Sequence, residues 1–263
     1  MPAMAPSAAI REPTARFHVV LSLVFAAIAF GGFSLTYLRS LATVGFPAPI
    51  IVHVHAIVLF GWFVLLIVQS RLAGTSIATH RDVGRVGISL ATAIVLTAVA
   101  LISFDLNEAV ELGRSTTARS LVVVPVFAIT MFAVAFTLAI VNVRRPEYHK
   151  RFIVLATVAL IPPAFARVFL ALAADGYTPG TRQSLAVAVP DLDLVLRLLI
   201  VPAFLADLLI LIPMVHDWKA RGRPHAVYVA GGVAFVVAHA LRPWVVGTHA
   251  WYSFTEALIA LSH

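Results

Sequence analysis

The sequence predicts an all-α fold, a polytopic bundle of seven membrane-spanning helices. Three observations carry that prediction. Of the 263 residues 61% are hydrophobic and only 12% charged, where soluble domains carry about 25% charged residues. Seven stretches, near 17–38, 50–70, 86–104, 120–143, 152–173, 196–215 and 226–246, are apolar over the roughly 20 residues that a helix needs to cross hydrocarbon. Basic residues gather in alternate connections between them. So much apolar surface requires lipid as its solvent, and the expected product is an integral, multi-pass membrane protein.

The first stretch follows a short tail, 1–16, with Arg11 and Arg16. It is longer than the apolar core of a signal peptide and no A-x-A-like site follows closely, so it reads as a retained span. The second, "HVHAIVLFGWFVLLIVQS", sets His55, Trp62 and Gln69 at steps of seven. Residues so spaced drift by only about 20° per step around a helix. They form one polar-capable stripe, which lipid would reject and which should therefore face other helices or a cavity. His53, two residues before His55, is turned about 200° away and is expected at the rim, near water or headgroups.

"THRDVGR" at 79–85 leads into the third stretch and "EYHKRF" at 147–152 into the fifth, which carries Arg167. The sixth holds Asp207, with Asp193 and Arg197 one turn apart near its start. The seventh follows "GRPHAV" at 222–227 and carries His239 and Arg242, again one turn apart. A histidine thus precedes three spans, which hints at three repeated hairpins after a lone first helix; the plainer reading is that such connections favour polar residues. "HRDVGR" reads as a headgroup-binding and loop-closing element, with Gly84 permitting close packing. Pro125, Pro162, Pro163, Pro202, Pro213 and Pro243 are expected to kink or end spans, and broken helices can line sites. Residues 247–263 read as a short non-cytoplasmic tail, and Trp244, Trp251 and Tyr252 as an interfacial aromatic belt. The connections 105–119 and 174–195 are too short and polar to hold a core, so 17–246 is one membrane domain.

Charge sets direction. Twelve of the 19 Lys and Arg residues fall at the amino terminus or in the connections after the second, fourth and sixth spans. Positive charge marks the cytoplasmic side, which puts the amino terminus inside and the carboxyl terminus outside. The net charge of +7 is thereby explained by topology, without nucleic acid. With no cysteine, disulfides, iron–sulfur clusters, covalently attached haem and a thiol nucleophile are excluded. Neither H-E-x-x-H nor G-x-S-x-G nor a phosphate-cradling loop occurs. The last span has no lysine for a retinal Schiff base.

Ionisable groups within spans carry the functional signal, since each is costly unless paired or wetted. His55, Arg167, His239 and Arg242 are expected in the outer half of the bundle, with Asp207 near its middle. Two imidazoles on separate helices can be axial ligands of haem iron, which makes His55 and His239 the candidate metal ligands. Arg167 and Arg242 would then pair with haem propionates, and Asp207 would handle protons. The expected function is a b-type haem protein passing electrons, with a quinol or another redox partner. The alternatives are a small proton-coupled permease built on Asp207 and Arg167, and an accessory subunit of a larger membrane complex.

At "HVHAIVLFGWFVLLIVQSRL", "THRDVGR", "YHKRFIVLATVALIPPAFAR" and "VHDWKARGRPHAVYVAGG" the chain resembles a group of bacterial polytopic membrane proteins of unknown function, which implies the bacterial inner membrane as its home. More loosely, its paired histidines are similar to those of b561-type cytochromes. That likeness implies non-covalent haem b, although those proteins repeat histidines down the same helices and here only Gln69 lies below His55.

Overall fold

The computed structural model describes the backbone of residues 8–45, 48–173 and 192–261, with side chains from Arg16 onward except at Val44, Leu170, 172–173 and 192–199. All regular structure among these residues is helical. Seven runs are long and apolar enough to cross a membrane, and the chain is a multi-pass membrane protein.

The first span joins α1 (Ala8–Phe33) through a π-helical turn, Ser34–Leu38, to α2 (Arg39–Val44). Gly45 ends it in the left-handed conformation, φ 63°, where a side chain would be strained. The second span is α3 (Ile50–Thr75). Ser76 alone separates it from α4 (Ile77–Glu111), the third span, and caps that helix by accepting from the Thr79 amide at 3.4 Å. "HRDVGR" is therefore helical and not a loop: the Ser76 cap starts α4 before it. At 35 residues, α4 is about 52 Å long by its 1.5 Å rise per residue and overshoots the expected 86–104 at both ends.

The fourth span is α5 (Ser115–Leu121) followed by α6 (Val123–Val141), and the fifth is α7 (Pro146–Ala159) followed by α8 (Pro162–Ala173). Pro146 stands in the first turn of α7, where its missing N–H is harmless. Pro162 and Pro163 supply no amide for the carbonyls four residues back, so the fifth span breaks at Leu160–Ile161. The sixth span, α9 (Leu192–Leu208) and α10 (Leu211–Arg221), breaks at Leu209–Ile210. The seventh is α11 (Ala226–Val246). The expected turn residues Gly176, Pro179, Gly180 and Pro190 lie outside the described residues, as do the side chains of Asp193 and Arg197.

Residues beyond 246 are no mere tail. They form α12 (His249–Ala260), capped by Thr248 and burying Trp251, Thr255 and Leu258. Trp251 thus leaves the expected aromatic belt: its indole N–H donates to the Arg119 carbonyl at 2.8 Å. Trp244 and Tyr252 remain exposed.

The helices pack as an α3–α4 hairpin and an α6–α7 hairpin; α1 lies on α3 and α8, α9 on α8, α11 on α6, α7 and α9, and α12 on α4. In lipid no hydrophobic force drives helices together, so contact depends on close approach and small residues. A β-carbon at Gly32 would collide with the Ala164 carbonyl oxygen, and one at Gly231 would collide with the Leu155 side chain. Those glycines set how closely α1 meets α8 and α11 meets α7. Phe25, Ile94, Phe132, Val158 and Ile161 fill the interior, while Val20, Ile57, Val64, Leu96 and Val134 face outward, as lipid allows.

Polar contacts gather at two ends. One end joins the starts of α1, α4, α7 and α11 to the ends of α3, α6 and α10 and is here termed the basic face. At the other, Arg119 reaches Thr255 at 2.7 Å and pairs with Glu256, and Asn107 donates to the Ile259 carbonyl at 3.0 Å.

Candidate functional site

Three ionisable side chains meet between α9 and α11. Counting 1.5 Å per residue, Asp207 and His239 both stand about 20 Å from the basic-face ends of their spans, at Arg221 and Ala226. His239 Nε2 lies 3.0 Å from Asp207 Oδ2, with the side chains only 7% and 10% exposed. The approach is off the line that a hydrogen bond needs, so no atom of either polar head has a hydrogen-bond partner among the described residues. Arg242, one turn beyond His239, is 6% exposed, and its Nε and Nη1 also have none. Its guanidinium stands 5.9 Å from the centre of the Phe127 ring and within Coulombic range of Asp207. Phe204 and Phe235 turn their edges to His239, at 5.7 and 6.4 Å between ring centres.

Proline sets the backbone at this level. Asp207 occupies the last turn of α9, just before the break. Pro213 has no amide for the Leu209 carbonyl, which takes a 3.3 Å bond from Ile212 instead. Pro243, inside α11, likewise cannot donate to the carbonyl of His239, four residues earlier. Asp207 and His239 therefore both sit where a membrane helix departs from regularity.

The His55–Trp62–Gln69 stripe does face other helices. Trp62 is buried and donates to Thr157 Oγ at 3.3 Å. His55 Nδ1 lies 2.9 Å from Thr97 Oγ. The single hydroxyl hydrogen of Thr97 goes to the Ala93 carbonyl at 2.7 Å, so His55 is the donor and its Nε2 carries the lone pair. Gln69 approaches Gly84, where a β-carbon would stand 3.6 Å from its amide nitrogen. His53 is turned away as expected, but toward protein: Nδ1 lies 2.9 Å from the Tyr37 hydroxyl.

The five candidate residues thus divide. Asp207, His239 and Arg242 come together; His55 is held to α4 by Thr97; Arg167 lies 5.6 Å from the centre of the Phe33 ring. The main packing of α3 is on α1 and α4, and that of α11 on α6, α7 and α9. Among the described residues, no three His, Asp or Glu side chains are grouped as metal ligands.

A second cluster escaped the sequence reading. Arg151, counted there only as a topology-setting charge, is 1% exposed. It grips Asp217 with two hydrogen bonds, Nε to Oδ2 at 2.8 Å and Nη2 to Oδ1 at 2.6 Å. Its Nη1 donates to Glu147 Oε2 at 2.7 Å, and Lys150 and Arg221 close on the same carboxylate. The Tyr228 ring lies 5.6 Å from the guanidinium, and Phe17 stacks on His216 at 3.8 Å nearby. The Glu147–Arg151 spacing of four residues was the available signal.

No family model, curated protein or solved structure matches this chain.

Proposed function

We propose that this protein is a proton-coupled carrier for a small anionic solute, set in the bacterial inner membrane with its basic face cytoplasmic. The observation behind the reading is the buried Asp207–His239 contact at 3.0 Å, with Arg242 beside it. A carboxylate and an imidazole so close can share and pass a proton once a small ring rotation brings them into line. With Asp207 ionised and His239 neutral, the charges of Asp207 and Arg242 cancel. Protonation of His239 leaves the group net positive, and the unpartnered nitrogens of Arg242 offer donors suited to a carboxylate or phosphate. The interrupted sixth span adds support, because discontinuous helices commonly form the sites of membrane carriers.

The test is purified protein in liposomes containing a pH-sensitive dye, challenged with small carboxylates and phosphate. One of these should acidify the lumen in a protein-dependent way, and Asp207→Asn should abolish the response. Folded protein that moves no protons with any member of the panel would sink the reading.

The second reading keeps the b-type haem on His55 and His239, with Arg167 and Arg242 as propionate partners and a quinol as electron source. One observation favours it: His55 is fixed with Nε2 unprotonated, as a haem ligand must be. Against it, His239 Nε2 already faces Asp207. Absorption spectra of oxidised and dithionite-reduced protein decide between them, since only the haem reading expects a Soret band lost in His55→Ala and in His239→Ala.

A further inference from the structure

We infer that His80 and His149 form a transition-metal site at the basic face, taking a first-row divalent cation such as Zn²⁺, with Gln69 as candidate oxygen donor. The two histidines enter from different hairpins, α3–α4 and α6–α7, yet are held alike. His80 Nδ1 lies 3.2 Å from the Gln69 carbonyl oxygen, and His149 Nδ1 lies 2.8 Å from that of Ala139. A carbonyl can only accept, so each neutral ring keeps its hydrogen on Nδ1 and a lone pair on Nε2. Ligating histidines are characteristically oriented this way, one nitrogen donating to a carbonyl and the other free for the metal.

The rings are near one another, with centres 6.5 Å apart and planes at 89°. Two imidazoles sharing one tetrahedral ion through Nε2 bonds of about 2.0–2.1 Å have ring centres roughly 5 Å apart, so the two rings close by a little over about 1 Å when the ion binds. Gln69 supplies more than its carbonyl. Its amide oxygen is buried without a hydrogen-bond partner among the described residues, and Gly84, one turn beyond His80, admits its side chain alongside α4. The basic neighbours do not repel a cation as their number suggests. Lys150 and Arg151 are tied to Glu147 and Asp217, Arg85 pairs with Asp82 at 3.4 Å, and Arg81 is exposed.

Each histidine also latches its hairpin, and that role alone would explain the carbonyl bonds. Asparagine separates the two roles. Its side-chain N–H stands where Nδ1–H stood, while Nε2 is deleted. The full chain, purified in detergent and stripped of metal, is titrated with Co²⁺ and followed by its visible absorption. Wild type should show a saturable Co²⁺ spectrum, displaced by Zn²⁺. His80→Asn and His149→Asn should each lose it while melting at the wild-type temperature. A wild type with no saturable spectrum, or one that persists in the double variant, overturns the proposal. If the variants do not fold, carbethoxylation of wild type decides it. Zn²⁺ should protect His80 and His149 as read by mass spectrometry, and equal labelling with and without Zn²⁺ overturns the site.

Discussion

The Arg151 cluster and the Asp207 cluster contain similar chemistry and resolve it in opposite ways. Each brings carboxylate and cation together from different helices, and each buries them. Around Arg151 all three guanidinium nitrogens donate, at 2.6 to 2.8 Å, to two carboxylates and a backbone carbonyl. Around Asp207 the closest approach is also short, 3.0 Å, yet the polar atoms of Asp207 and His239 and two nitrogens of Arg242 lack hydrogen bonds among the described residues. Burying a charge is tolerable when its hydrogen bonds are met and costly when they are not. A saturated group has no capacity for another partner, so the first cluster fastens α7, α10 and α11 together. The second keeps its binding capacity.

The largest effect expected from this contrast is on stability at the saturated cluster. Arg151→Ala strands Asp217 in a buried site, and breaking such a pair costs about 3–5 kcal/mol. Chemical unfolding in detergent micelles should show that loss, with Arg151→Lys also destabilised because an ammonium cannot reproduce the forked grip. An Arg151→Ala protein as stable as wild type would remove the distinction between the clusters.

Asp207→Asn is the converse. It deletes a carboxylate with no hydrogen bonds among the described residues but leaves Arg242 buried without its counter-charge. Stability should therefore fall by less than in Arg151→Ala, where four hydrogen bonds are also lost, while solute-dependent proton uptake disappears. Equal destabilisation by Asp207→Asn and Arg151→Ala would make the interior group a second fastener. Loss of uptake with stability retained sharpens the contrast.

The fold was largely legible because its signals are local. Hydropathy marks all seven spans, and the heptad spacing of His55, Trp62 and Gln69 places their side chains against α4 and α7. Other features depend on neighbours distant in sequence. Asp207 and His239 each stood out as ionisable residues in a span, but their pairing needs α9 and α11 side by side. Arg151 looked like a topology charge because nothing local shows that Asp217 waits 66 residues later. The α12 helix was missed although its signature is local: Thr248 as cap, then Trp251, Thr255 and Leu258 on one face. It is too short to span, and a search for spans passes over it.

The smallest effect concerns His225, at the edge of the saturated cluster and just outside the seventh span. Of the three histidines preceding spans it alone accepts, Nδ1 taking the Val227 amide hydrogen at 3.2 Å, whereas His80 and His149 donate. Burial first, and then the Arg151 charge, lowers its pKa below the ordinary 6.5. The unfolded chain therefore binds the proton more readily. The cap's contribution is complete above about pH 6.5 and is lost as pH falls from there toward the folded value. Asparagine caps helices well without titrating, so His225→Asn should match wild type at pH 7.5 and exceed it at pH 5. The gap should be on the order of the 1 kcal/mol that an N-cap contributes. Parallel unfolding curves for the two proteins from pH 7.5 to 5 would show instead that His225 meets protons as freely folded as unfolded, and that the saturated cluster ends before it.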